Sequence, residues 1–154
     1  MTAADTTSAL EQLRGHEHAA CLLCGASDRL GLHLQVARDG IGQIKGHAIP
    51  GTELQSYPDE LHGGIISLLM DGIMTNCLFA EGIVAVTAQL KVRYLRSVQT
   101  GIGVVLTATL AKSKRNVHYV EAFLRQDGEL KVKGWGTFIE RPSRRRRNSP
   151  TVHR

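Results

Sequence analysis

The run from Leu61 to Ala80, Leu-His-Gly-Gly-Ile-Ile-Ser-Leu-Leu-Met-Asp-Gly-Ile-Met-Thr-Asn-Cys-Leu-Phe-Ala, constrains the fold more than any other part of the chain. A Pro-Asp-Glu turn (Pro58 to Glu60) leads into the pair Gly63-Gly64 and then into a nearly all-apolar stretch of helical length, read here as too short to span a bilayer. Ile65, Leu68, Leu69, Ile73, Met74, Cys77 and Leu78 leave a helix almost no polar face, so other structure has to wrap it on most sides. Asp71 is the one acidic residue in that helix. A carboxylate withdrawn from water is costly unless paired or solvated, so Asp71 marks either a hydrogen bond to a neighbouring strand or a functional cleft.

The wrapping material is strand. From Gly31 the apolar period is two, with Leu32, Leu34 and Val36 alternating against His33, Gln35 and Ala37; Arg38-Asp39-Gly40 turns the chain into a return strand from Ile41 to Ile49. After Gly82 a long strand is expected, with Val84, Val86, Ala88, Leu90, Val92 and Tyr94 on one face and Ala85, Thr87, Gln89, Lys91 and Arg93 on the other. Gly101 and Gly103 open another, with Val104, Leu106, Ala108 and Leu110 inward, and Lys112 to Asn116 read as a turn. Val117 to Arg125 and Leu130 to Glu140 form the last two strands, joined by a tight turn at Gln126 to Glu129 and stopped by Pro142. A short amphipathic helix fits residues 7 to 20. The expected class is α+β: a strongly bent antiparallel sheet around one long central helix.

The 154 residues, 42% hydrophobic, suit one domain with a real core. Its divisions are an N-terminal helical segment at 1–20, the main domain at 21–140 and a basic tail at 141–154. That tail carries six Arg and no acid, so residues 1–140 hold 13 basic and 14 acidic groups, a balance of −1, and the net charge of +5 belongs to the tail. A tail without apolar periodicity is expected to be disordered and solvated, with no specific nucleic-acid partner. Absence of a signal-peptide pattern and of a membrane span points to a soluble, cytoplasmic protein. The odd number of cysteines gives no disulfide framework. Cys21 and Cys24 have the spacing of half a zinc site, with His16 and His18 just upstream, but no second pair follows, so structural thiols are expected and no metal.

The order of elements, the His62-Gly63-Gly64 opening of the helix, Asp71 nine positions after His62, the start Cys21 to Leu32 and the ending Gly134-Trp135-Gly136-Thr137-Phe138-Ile139 together resemble the hotdog-fold acyl-CoA thioesterases of the phenylacetate-degradation (PaaI-like) type. The resemblance covers roughly residues 20–140. It implies hydrolysis of an acyl-CoA thioester by a homodimer, often paired into a homotetramer, with the active site between subunits and no cofactor. Geometry asks for two chains independently. Gly63 and Gly64 offer free N–H groups at the positive end of the helix dipole, suited to a thioester carbonyl, whereas Asp71 lies about 12 Å further along the axis. An antiparallel partner helix would bring its own Asp71 opposite Gly63.

The expected roles follow. Gly63, helped by Gly64, holds the oxyanion. Asp71 of the partner acts as general base on water or as nucleophile. Thr87 stands where the family often places a hydroxyl, and His62 orients the loop. Two departures from the family pattern bear on substrate binding and packing: Ser56 stands where some relatives have an Asn side chain, and Gly72 where others have Glu, allowing close approach of an acyl chain or the other helix. Arg93, Lys114 and Arg115 are the expected partners of the coenzyme A phosphates. A non-catalytic acyl-CoA or lipid-binding domain on the same fold is the competing reading.

Overall fold

The computed structural model describes residues 3–26 and 28–142. Of the Arg-rich tail expected at 141–154, residues 143–154 lie outside the described residues. In chain order the elements are α1 (Ala3–Glu17), β1 (Gln35–Arg38), β2 (Gln43–Ala48), a 3-10 turn (Thr52–Leu54), α2 (Gly63–Ala80), β3 (Ala85–Tyr94), β4 (Val104–Lys114), β5 (Val117–Gln126) and β6 (Glu129–Glu140). All pairings are antiparallel, in the spatial order β1-β2-β4-β5-β6-β3. The fold is the α+β arrangement the sequence implied: one sheet curved around α2, which touches every strand.

α2 forms because Gly72 is the one glycine beyond its first turn, and because burial rewards most of the surface it presents. Leu69, Met70, Ile73, Met74, Cys77, Leu78 and Phe79 are each at most 1% exposed. At a mean hydropathy of 1.4 it is long and apolar enough to cross a membrane by composition, contrary to the sequence reading, but 61% of it is buried inside the fold. On β6 the glycine-rich ending has a packing reason. A Cβ on Gly134 would stand 2.8 Å from the Met70 terminal methyl, and one on Gly136 would stand 2.7 Å from the Met74 sulfur. The helix lies directly against that strand.

Four expectations are corrected. The alternation at 31–37 is real in burial, with Leu32 and Leu34 nearly inaccessible, but the strand begins only at Gln35. The Asp28 carboxylate accepts the N–H groups of Leu32 and His33, and His33 sits at φ 44°, a turn geometry that no strand tolerates. Next, the stretch from Lys112 is mostly strand, with only Arg115 and Asn116 turning. Finally, the two faces of β3 are not those of strict alternation. A bulge between Thr87 and Gln89 reverses the parity, so Thr87 shares the helix-facing side with Leu90, Val92 and Tyr94, opposite Phe138, Gly136 and Gly134 of β6. Gly72 also has a different neighbour from the one expected. A Cβ there would lie 2.1 Å from Leu23 Cδ2, so the space is taken by the segment after α1, not by an acyl chain or another helix.

Candidate active site

The N-terminus of α2 is closed on one side and open on the other. His62 caps it: its Nδ1 accepts the N–H of Gly64 at 2.9 Å, and its backbone carbonyl accepts Ile65 and Ile66. Nδ1 as acceptor places the neutral ring's proton on Nε2. The Gly64 N–H is therefore engaged by the cap, whereas the Gly63 N–H has no partner among the described residues. Gly63 is in turn fixed through its carbonyl, which accepts the Tyr94 hydroxyl at 2.9 Å, and that hydroxyl meets Ser67 Oγ at 2.6 Å. Tyr94 and Ser67 were not identified as site residues from sequence. A Cβ on Gly63 would stand 3.8 Å from the Tyr94 ring, an ordinary contact, so this chain alone does not demand glycine there.

Two turns along the same helix, Asp71 is half-buried rather than enclosed. Its Oδ1 accepts a hydrogen bond from Thr87 Oγ1 at 2.7 Å, a contact that exists only because the β3 bulge turns Thr87 toward α2. The pair lies in the wall of a cleft of about 220 Å3, with His18, Thr75, Phe79 and Arg141 among its other residues. Thr75 is held away from the carboxylate by donating its hydroxyl to the Asp71 backbone carbonyl. His18 stands edge-on to Phe79 with ring centroids 4.8 Å apart, and burial pulls its pKa below the usual value, with the negative charge of Asp71 acting in the opposite direction. One oxygen fixed by Thr87 and one facing the cleft make Asp71 suited to orienting a water. Seen from its own Gly63, it is a distant group on the same rod.

The remaining expected residues are dispersed. Ser56 is exposed in the loop before α2, with its N–H on the Glu60 carbonyl. Arg93 lies near the Tyr94 end of β3, in register with Lys133. Lys114 and Arg115 lie at the β4–β5 turn, in the row that runs through Val117 and Ile139 to Val86. Seven residues of strand, roughly 23 Å, separate the two rows, so a single chain does not bring its three cations together.

A sequence model described as the Thioesterase superfamily matches residues 60–133, the interval that holds His62, Gly63, Asp71 and Thr87. Among solved structures, the conserved protein PA5202 from Pseudomonas aeruginosa is 30% identical over 80% of this chain and 99% of that one, with a TM-score of 0.67. The E. coli PaaI protein from the phenylacetic acid degradation operon has a TM-score of 0.76 at 13% identity, over 89% of this chain and 96% of that one, a likeness of fold. Protein smu.793 from Streptococcus mutans UA159, solved bound to acetyl CoA, has a TM-score of 0.66 at 20% identity over 70% and 88%. The chain spans about half, 53%, of the thioesterase superfamily protein RHA08564, to which it is 25% identical over 69% of its own length with a TM-score of 0.66. Comparison with curated proteins gives no match.

Proposed function

The chain belongs to the thioesterase superfamily, and from that premise we propose that it hydrolyses an acyl-CoA thioester to the free acid and coenzyme A, in a site completed by a second copy of itself. The observation that carries the reading is the Thr87 to Asp71 hydrogen bond of 2.7 Å at the wall of a cleft, set on the same helix as an unpartnered Gly63 N–H but too far along it to serve the same carbonyl.

The thioester oxygen docks on Gly63 N–H at the positive end of α2, and the partner's Asp71 removes a proton from water. The water oxygen bonds to the carbonyl carbon, and negative charge gathers on the oxygen held by Gly63. The tetrahedral species collapses, the C–S bond breaks, and the proton held by the partner's Asp71 passes to the departing sulfur. His62 keeps the first turn of α2 in shape, and Thr87 fixes the base. The unpaired outer edge of β3 is the surface on which two copies join, giving the dimer; pairs of dimers make the tetramer. Across such a two-fold axis Arg93 of one chain approaches the end of the sheet that carries the partner's Lys114 and the partner's Arg115, so the coenzyme A phosphates are held by both chains. Support for coenzyme A comes from the acetyl CoA in the Streptococcus mutans protein of the same fold.

The test is thiol release from short, long and aromatic acyl-CoA esters by wild type and Asp71→Ala, with particle mass measured for both. Expected is turnover that falls by about a hundredfold or more in an intact Asp71→Ala dimer. No turnover by the wild type on any ester, with acyl-CoA still bound, would give the site to a non-catalytic acyl-CoA-binding domain.

A further inference from the structure

At the end of α1 the chain makes a tight loop that the catalytic reading leaves unused. Cys21, Leu23, Cys24 and Gly25 form a knuckle: the Gly25 N–H donates to the Cys21 carbonyl at 2.9 Å, and the Cys21 N–H donates to the His18 carbonyl at 3.0 Å. Gly25 is required by the loop itself, since a Cβ would come within 2.6 Å of the Cys21 backbone nitrogen and oxygen. His18 closes the group. Its Nδ1 lies 3.5 Å from Cys24 Sγ, and the ligand atoms of His18, Cys21 and Cys24 all fall within 4.8 Å of one another. Bonds of about 2.3 Å to sulfur and about 2.05 Å to nitrogen at a tetrahedral angle put S and N about 3.6 Å apart. The observed His18–Cys24 separation is that of a tetrahedron's edge.

A second observation points at the same place. Asn76 of α2, wholly buried, lies beside the Cys24 side chain; its Nδ2 donates one N–H to the Gly72 carbonyl at 2.7 Å, and its Oδ1 has no hydrogen-bond partner among the described residues. A buried amide against a sulfur is the outer support that a metal-bound thiolate uses. His16 is not part of the group; its Nδ1 turns to Glu17.

We propose that His18, Cys21 and Cys24 bind one thiophilic divalent cation of the Zn2+ class, the fourth position being filled by solvent. On binding, both thiols release their protons to solvent and two metal–sulfur bonds and one metal–nitrogen bond form. The ion ties the end of α1 to the knuckle whose Leu23 fills the notch at Gly72, and it fixes His18 in the wall of the Asp71 cleft. Its role is to set the shape of that wall, independent of which ester, or whether any ester, is hydrolysed.

The experiment uses the full chain, reduced and stripped with a chelator, then titrated with Zn2+ alone and Co2+ alone. Expected are one ion per chain, a thiolate-to-cobalt charge-transfer band with tetrahedral d–d bands, and displacement of that spectrum by Zn2+. Cys21→Ser and Cys24→Ser each weaken binding by about a hundredfold or more, while Cys77→Ser, whose sulfur is buried elsewhere in α2, leaves it unchanged. Should the serine variants fail to fold, protection of Cys21 and Cys24 from iodoacetamide by Zn2+ in the wild type gives the same answer. A cobalt spectrum without thiolate bands, equal metal content in the Cys21→Ser/Cys24→Ser double variant, or alkylation unaffected by Zn2+ overturns the proposal and leaves a thiol–imidazole hydrogen bond.

Discussion

β3 and β5 are each ten residues long, belong to one sheet and carry similar mixtures of apolar and polar side chains, yet they live in different surroundings. β5 has β4 on one side and β6 on the other, and Val120, Ala122 and Leu124 are at most 2% exposed. β3 has β6 alone; Val86 is 41% and Tyr94 49% exposed, and Leu90 and Val92 are only half-covered. Burial is thus a property of a strand's neighbours more than of its own pattern. The contrast also bears on the candidate site: the strand with an unfilled edge carries Thr87 and Tyr94, the two side chains that hold Asp71 and Gly63.

The sharpest test of the contrast is truncation on each strand. Leu124→Ala on β5 is expected to cost about 2–5 kcal/mol in urea unfolding at unchanged m, whereas Val86→Ala on β3 costs about 0.5 kcal/mol or less. Equal losses would mean that the two strands are not differently supported. Next in size, Val86→Lys should leave the subunit folded but shift its mass from dimer to monomer, with thioesterase turnover falling about a hundredfold, because each site then lacks the partner's Asp71. A full-strength dimer of this variant would remove β3 from the seam. Thr87→Val, which keeps shape and removes the donor, is expected to lower kcat/KM about tenfold, with Thr87→Ser restoring most of it. A Val variant as active as wild type would make the hydrogen bond incidental to turnover. The smallest effect belongs to the support of α2 from behind: Gly72→Ala gains helix propensity but collides with Leu23, for a net loss of about 1 kcal/mol in thermal unfolding. A stabilised variant would show that Leu23 moves aside freely.

The parts legible in sequence are those governed by local period. α2 announces itself by apolar residues on all sides, and β4, β5 and β6 by alternation that burial follows closely. Edge status is invisible to such patterns, because the place of β3 beside β6 is decided by residues 38 to 55 positions away. The bulge was missed for a related reason: Ala88 fits either face, so nothing local signals that Thr87 turns inward. At α2 the His62-Gly63-Gly64 motif was readable, but the capture of the Gly64 N–H by His62 depends on a side-chain torsion that letters do not carry. The gathering of His18, Cys21 and Cys24 was not legible, because the sequence shows only half a zinc spacing with no second pair; a helix end followed at once by a knuckle provides the reversal that spacing alone does not reveal.

The spatial order of the strands also sets an order in time. β3 leaves the ribosome before β4, β5 and β6, but its only neighbour in the sheet is the last of them. Between Tyr94 and the end of β6 a ribosome needs about 2 to 9 seconds at roughly 5–20 residues per second. During that interval α2 is already made, and only α1, β1, β2 and the still unpaired β3 are there to cover it. The nascent chain therefore passes through a stage with a bare apolar rod and an unmatched strand, the kind of intermediate that chaperones hold. Thr87 settles onto Asp71 after β6 is laid down, so the pair on which the proposed activity rests is among the last contacts this chain forms.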